Sequence, residues 1–205
     1  MARFKKRNTA KKQKNSSKLT DKSFYFIVEG ETEQAYIKAL CRNLSIHPSR
    51  CNFKLHSKLG NYEKFSTIYR DIRTSHTSKE IFFVYDTENL QSEIDLFNQI
   101  KQKHPETNII ISSSCIEVWF LLHFEKLFHN QYKTADERLH ELSNLSPTYI
   151  KPPNELFITE NFIPKISHAI NEAKKLHKQA LSHNCFYTYT EFHLLISTLE
   201  EQNML

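Results

Sequence analysis

Five consecutive residues, Ile81-Phe-Phe-Val-Tyr85, are all β-branched or aromatic, and no polar residue interrupts them. A strand with one wet face alternates apolar and polar residues. An unbroken run belongs to a strand covered on both faces, the situation of a strand inside a parallel sheet. Parallel neighbours cannot be joined by a tight hairpin, so the connections have to cross over, usually through helices.

The rest of the chain meets that demand. Ser23 to Val28 reads as a second buried strand, and Asn108 to Ile111 as a short further one. In Cys51 to Ser57 the residues Cys51, Phe53 and Leu55 alternate with polar ones, as in a strand. Between these segments the period changes to that of a helix. Tyr36, Ile37, Leu40, Cys41 and Leu44 mark a helix over Glu31 to Leu44, and Phe65, Ile68, Tyr69 and Ile72 one over Asn61 to Ser75, with Asn61 as its N-cap. Ile94, Leu96, Phe97 and Ile100 mark a third, Leu90 to Lys103. Strand alternating with helix predicts an α/β fold with a mainly parallel sheet of about four strands and right-handed crossovers. Past residue 130 the chain turns helical. Ile166, Ala169, Ile170, Ala173, Leu176, Ala180 and Leu181 form one apolar stripe, and Phe192, Leu195, Ile196 and Leu199 another. The expected organisation is a basic tail over 1–22, an α/β core over 23–130 and a helical extension over 131–205 packed on that core.

Acidic residues gather where the first and third strands end. Phe26-Ile-Val-Glu-Gly-Glu-Thr-Glu33 closes the first strand on a turn, and Gly30 is one of only two glycines in the chain. A glycine here predicts a sharp turn using backbone angles closed to other residues. Glu29 and Glu33, four apart, lean toward one opening. Asp86 and Glu88 follow the third strand; if it persists through them, their side chains share one side. In a parallel sheet both strand ends lie on the carboxyl edge, where ligand sites form. Four carboxylates crowded there would repel and raise one another's pKa, an arrangement that makes sense around a hard divalent cation. Ile116 to Phe124 is apolar on all sides apart from Glu117 and His123 and predicts a buried helix. Glu117 falls at the same edge, and a carboxylate in such surroundings needs a partner, a proton or a metal. His123 is a candidate for a direct role or a hydrogen-bonded core residue, and Trp119 is core.

The net charge of +5 conceals a division. Residues 1–22 carry nine Lys or Arg against Asp21 alone, leaving 19 basic and 22 acidic residues for the remainder. Such a tail is expected to be disordered alone. It suits contact with a nucleic-acid backbone through Arg3, Lys5, Lys6, Arg7, Lys11 and Lys12, or with an acidic partner, and a solubilising extension fits equally well. Cys41, Cys51, Cys115 and Cys185 form no C-x-x-C pair, which speaks against a zinc site or a disulfide framework. With no apolar leader and no run long enough to span a bilayer, the expected location is a reducing cytoplasm.

Glu-Gly-Glu-Thr-Glu after the first strand, an acidic pair after Val84-Tyr85, and Cys115-Ile-Glu-Val-Trp-Phe-Leu-Leu-His-Phe124 occur in that order. Over about residues 24–151 this resembles the RloB-like family, part of the wider Toprim group of metal-dependent phosphodiester enzymes. The resemblance implies a Toprim-like core. Residue by residue it places Glu29 at the invariant glutamate, Glu33 at the acidic residue one turn on, Asp86 and Glu88 at the Asp-x-Asp pair, and Glu117 and His123 at the glutamate and histidine of the buried helix. Tyr149-Ile-Lys151 matches the family's Tyr-x-Lys, with Lys151 set to neutralise phosphate charge. Two departures stand out: Glu88 replaces an aspartate, and Ser113-Ser114 stands where the family usually has Asn-Pro. The function so implied is a metal-dependent nuclease of an anti-phage or abortive-infection system. Glu29, Glu33, Asp86 and Glu88 would hold Mg²⁺ or Mn²⁺, the substrate would be DNA or RNA (tRNA included), and an ABC- or AAA-type ATPase would be its partner. A homodimer is left open. The alternative is a non-catalytic Toprim-like module that docks on and regulates the ATPase.

Overall fold

The computed structural model describes residues 23–75 and 79–204. The tail residues Arg3, Lys5, Lys6, Arg7, Lys11 and Lys12 lie outside the described residues. The elements run β1 (Ser23–Val28), α1 (Glu31–Asn43), β2 (Cys51–Leu55), α2 (Tyr62–Ser75), β3 (Lys79–Asp86), α3 (Gln91–Lys103), β4 (Asn108–Ser112), α4 (Glu117–Leu121), α5 (Ala135–Leu145), α6 (Glu155–Asn161), α7 (Ile166–His183) and α8 (Phe192–Met204). The four strands form one sheet in the order β2-β1-β3-β4, and every pairing is parallel. The fold is therefore α/β, a four-stranded parallel sheet flanked by helices.

The continuous apolar runs are explained by two cores, one on each face. Phe24, Phe26, Val28, Phe82, Val84 and Ile110 point to one side, into a cluster closed by residues of α1 and of the later helices. Ile27, Ile81, Phe83, Tyr85, Ile109 and Ile111 point to the other, against Phe65, Ile68 and Ile72 of α2 and Phe97 and Ile100 of α3. Successive side chains alternate between faces, so a strand fed by both cores has no polar position to spare. β2 lies at the edge, and its Leu55 is 47 % exposed. The C-terminal helices share the first core: Leu142, Ile158, Leu176, Leu195 and Leu199 sit in one cluster with Phe24 and Trp119. A Ser112–Thr190 bridge and the Lys101–Glu191 ion pair tie the segment before α8 to β4 and α3.

The strand order sets the position of the site. From β1 the chain goes outward to β2, then crosses back over β1 to β3 on its other side. The connections leave in opposite directions at β1 and β3, opening a crevice between their carboxyl ends.

Candidate active site

β1 and β3 pair in register as far as Val28 and Val84, so the residues that follow, Glu29 and Tyr85-Asp86, come side by side at that crevice. Glu29 N–H still donates to the carbonyl of Val84 at 3.3 Å, and the backbone N–H of Asp86 donates to Glu29 Oε2 at 3.2 Å. Glu33, in the first turn of α1, is 5 % exposed. Glu29, Glu33 and Asp86 line one hollow of about 340 Å³ together with Gly30, Lys151 and Pro152.

Gly30 serves a purpose other than the predicted one. Its φ of −138° is ordinary extended backbone, so the turn does not depend on glycine's freedom at positive φ. A Cβ at Gly30 would instead stand 2.8 Å from Glu33 Oε2. The glycine leaves room for the carboxylate to fold back across the turn, and a side chain here would push Glu33 away.

Glu117 opens α4 and is fully buried. Its Oε1 accepts from Lys151 Nζ at 2.8 Å and from the Tyr149 hydroxyl at 3.2 Å, while Oε2 has no hydrogen-bond partner. The electrostatics tie these groups into one unit. Burial raises the carboxyl of Asp86 well above its usual range, with Glu33, Glu29 and Glu117 adding repulsion against the pull of Lys151. Glu33 is raised by burial and by Glu117 and Glu29, and Glu29 by burial and by Glu88. Burial opposes the charge on Lys151, but Glu117 first among its neighbours outweighs that and lifts it. Lys151 thus acts on Glu33, Asp86 and Glu117, and Lys58 acts on Glu29.

Glu88 is placed differently from the sequence expectation. The strand stops at Asp86, and Glu88 and Asn89 take φ of 47° and 59° in a left-handed turn. Asp86 and Glu88 therefore do not project as a same-side strand pair. Glu88 pairs with Lys58 at 2.8 Å, both partly exposed, across a second small hollow that also includes Glu29, Asp86 and Glu93. Glu29 and Asp86 form the wall between the two hollows. The buried helix is also shorter than expected, ending at Leu121.

His123 is not brought to the carboxylates. It is 2 % exposed, hydrogen-bonded through Nδ1 to the Trp119 carbonyl at 3.0 Å, and ringed edge-on by Tyr36, Trp119 and Phe162. Burial pushes its pKa down to about 3. A depressed histidine pKa makes the fold lose stability as pH falls from the ordinary value near 6.5 toward 3. The ring resonances of His123 are expected to stay those of neutral imidazole between pH 5 and pH 8 in an NMR titration; a midpoint inside that window would disprove this placement.

Lys58 and Glu93 escaped the sequence reading. Their signal was topological: Lys58 follows β2 and Glu93 opens α3, so a parallel sheet brings both to the carboxyl edge.

The donor set suits a hard cation, being all carboxylate oxygen with one buried oxygen, Glu117 Oε2, unpartnered. Among the described residues no three His, Cys, Asp or Glu side chains are already spaced to hold a metal ion. Binding would require Glu29, Glu33 and Asp86 to turn inward. Also among the described residues, no helix is long and apolar enough to cross a membrane.

No curated protein matches the chain at a significant level. Among solved structures, the C-terminal region of the Burkholderia pseudomallei OLD protein is similar at 12 % identity, covering 86 % of this chain and 96 % of that one. Its TM-score of 0.40 is too low to equate the two folds. The family of RloB-like proteins matches residues 24–199, both the sheet that carries the carboxylates and the helices behind it, and the chain belongs to that family.

Proposed function

We propose that this chain is a Toprim-type, metal-dependent nuclease that hydrolyses phosphodiester bonds of DNA or RNA, as effector of an anti-phage system with an ABC- or AAA-type ATPase partner. The observation that carries this reading is the meeting of Glu29 and Asp86 at the crevice between β1 and β3, with Glu33, Glu117 and Lys151 around them. A divalent ion such as Mg²⁺ or Mn²⁺ held there would supply charge stabilisation for the phosphate and activation of a water.

The protein's own groups then divide the work. Glu29 after β1, Asp86 at the end of β3 and Glu33 in the first turn of α1 would hold that cation once their carboxylates turn inward. Glu29 is half-buried while Glu117 is fully buried, so Glu29 is the better placed to take a proton from a solvent-derived nucleophile. Lys151, 44 % exposed, can turn from Glu117 toward a phosphate oxygen. Glu88, on the outer hollow with Lys58, is a ligand only if the 86–89 turn folds inward. The nine positive residues of the tail offset the repulsion between so acidic a site and a polyanion.

The non-catalytic docking module has one observation in its favour, the lack of a preformed three-ligand cage among the described residues. The two readings part in cells. Nucleic acid recovered after expression with the partner ATPase should carry new, mapped ends with the wild-type chain. Glu29→Gln, which keeps the side chain's shape, should abolish those ends while the protein remains folded. Equal ends with both chains, or none with either in Mg²⁺ and Mn²⁺, would leave the docking module standing.

A further inference from the structure

Beside β4, a cavity of about 210 Å³ opens between α3, α7 and the segment that leads into α8. It adjoins the outer hollow that holds Lys58 and Glu88. Ile94 lines the cavity and Glu93, the residue before it, lines the hollow. Ile111 lines the cavity and its cross-strand partner Tyr85 lines the hollow. Neighbouring strands lie about 4.8 Å apart, so the cavity is one strand removed from the carboxylates at the end of β3.

We propose that this cavity is a base pocket, which takes one nucleobase of the bound strand while the strand's phosphate lies at the carboxylates. The inference rests on the nuclease reading for the source of the base, and adds to it the part of the substrate that is read. Charge excludes other ligands first. The charged side chains of the lining, Lys101 and Glu191, satisfy each other, with Lys101 Nζ at 2.5 Å and 2.7 Å from the two Glu191 oxygens. Glu191 also accepts from the Tyr189 hydroxyl and, at 3.1 Å, from the Ile111 backbone N–H. Burial lowers the His177 pKa below its ordinary 6.5, so that ring is uncharged near neutral pH. Such a lining offers nothing to a phosphate or a metal ion and suits a neutral guest.

A nucleobase is neutral and flat, with apolar faces and a polar edge. The walls match both parts. Tyr189 stands edge-on to Phe186 at 5.5 Å and to His177 at 5.0 Å, and aliphatic side chains complete the apolar surface. For the edge, the Asn98 amide bonds to no other described residue, and His177 uses only Nδ1, with His193 Nε2 at 3.2 Å. Ser113, in the same lining and 1 % exposed, has its Oγ without a hydrogen-bond partner. A gap left by imperfect packing that stays dry is apolar, unlike this one. The volume falls short of the roughly 300 Å³ at which pockets for drug-sized ligands begin, which leaves room for a base but not for the sugar and phosphate as well.

Fluorescence anisotropy of short labelled single strands with the full chain in EDTA tests this apart from cleavage. A strand carrying its bases is compared with an abasic strand of equal length, so that the phosphates, and the pull of the basic tail on them, are the same. The wild-type chain should bind the base-bearing strand about 10-fold more tightly, the size of one stacked base. Leu181 lies in the lining but is 60 % exposed, so Leu181→Trp can close the mouth from the solvent side and should erase that difference. Phe186→Ala, which removes a wall, should shrink it. Equal affinity of the wild-type chain for both strands, or a preference that survives Leu181→Trp, would overturn the pocket even in a chain that cuts. A free nucleoside that competes as well as the strand would overturn the strand as the source of the base. A base preference that Leu181→Trp erases supports the pocket even if no strand is cut in Mg²⁺, the result that would defeat the nuclease reading alone.

Discussion

Asp86→Asn is expected to lower phosphodiester cleavage by about 10³-fold while making the metal-free chain harder to unfold. Both effects come from the same charge. Asp86 ends β3, is raised by burial and by three neighbouring carboxylates, and donates its own backbone N–H to Glu29. Asparagine keeps its shape and removes its charge. A metal-held oxygen contributes several kcal/mol of charge stabilisation, and about 4 kcal/mol corresponds to that loss in rate. For stability the sign runs the other way. An acid whose folded pKa lies above its unfolded value of about 3.9 holds its proton in the folded state after the unfolded chain has released it. Stability therefore falls as pH rises from about 4 through the folded value, and the charge that Asp86 must carry above it costs the fold. The variant escapes that cost, with a gain of about 1 kcal/mol, or about 2–4 °C in melting temperature for a chain of this size. Melting curves in EDTA at pH 4 and pH 8 check it: the two proteins should converge at the lower pH and separate at the higher. A variant that still cuts, or that melts lower at pH 8, would remove Asp86 from the centre of the site.

The sheet was legible because its signal is local. An unbroken β-favouring run such as Ile81–Tyr85 and helical periods such as Phe65-Ile68-Ile72 hold wherever the segment lies, and parallel topology follows from their alternation. The strand ends followed from topology as well, which is why Glu29 and Asp86 could be placed together from residue order alone. Features that depend on tertiary approach were not legible. The need for glycine at position 30 comes from the Glu33 carboxylate folding back across it, a contact with no periodicity. The turn of Glu88 and Asn89 at positive φ carries no glycine to announce it, and so an i, i+2 rule for strands was carried two residues past the strand's end at Asp86. His123 lies among rings from three separate parts of the chain, Tyr36, Trp119 and Phe162, an environment that only packing assembles.

The second large effect is expected at Lys151, the cation paired with the buried Glu117. Lys151→Met keeps most of the apolar stem and deletes the charge that meets Glu117 Oε1. Removing one partner of a fully buried ion pair costs about 3–5 kcal/mol, because the other charge is left without compensation. Here the cost is smaller. Lys151 is 44 % exposed, so water weakens the pair, and the Tyr149 hydroxyl still donates to the same oxygen. About 2 kcal/mol is the expected loss, or about 4–8 °C in melting temperature without divalent ions. Mg²⁺ or Mn²⁺ should restore it, since an ion at about 100 times its dissociation constant stabilises by about 2.7 kcal/mol. The recovery should exceed that of the wild-type chain, because in the variant the ion replaces a missing positive charge instead of competing with one. Glu117→Gln in the same chain should cancel most of the loss, a coupling that only two groups in direct contact produce. If Lys151→Met melts with the wild type, or if the ions stabilise both proteins by the same amount, Lys151 is a surface lysine that happens to reach inward, and the carboxylates are held apart by solvent alone.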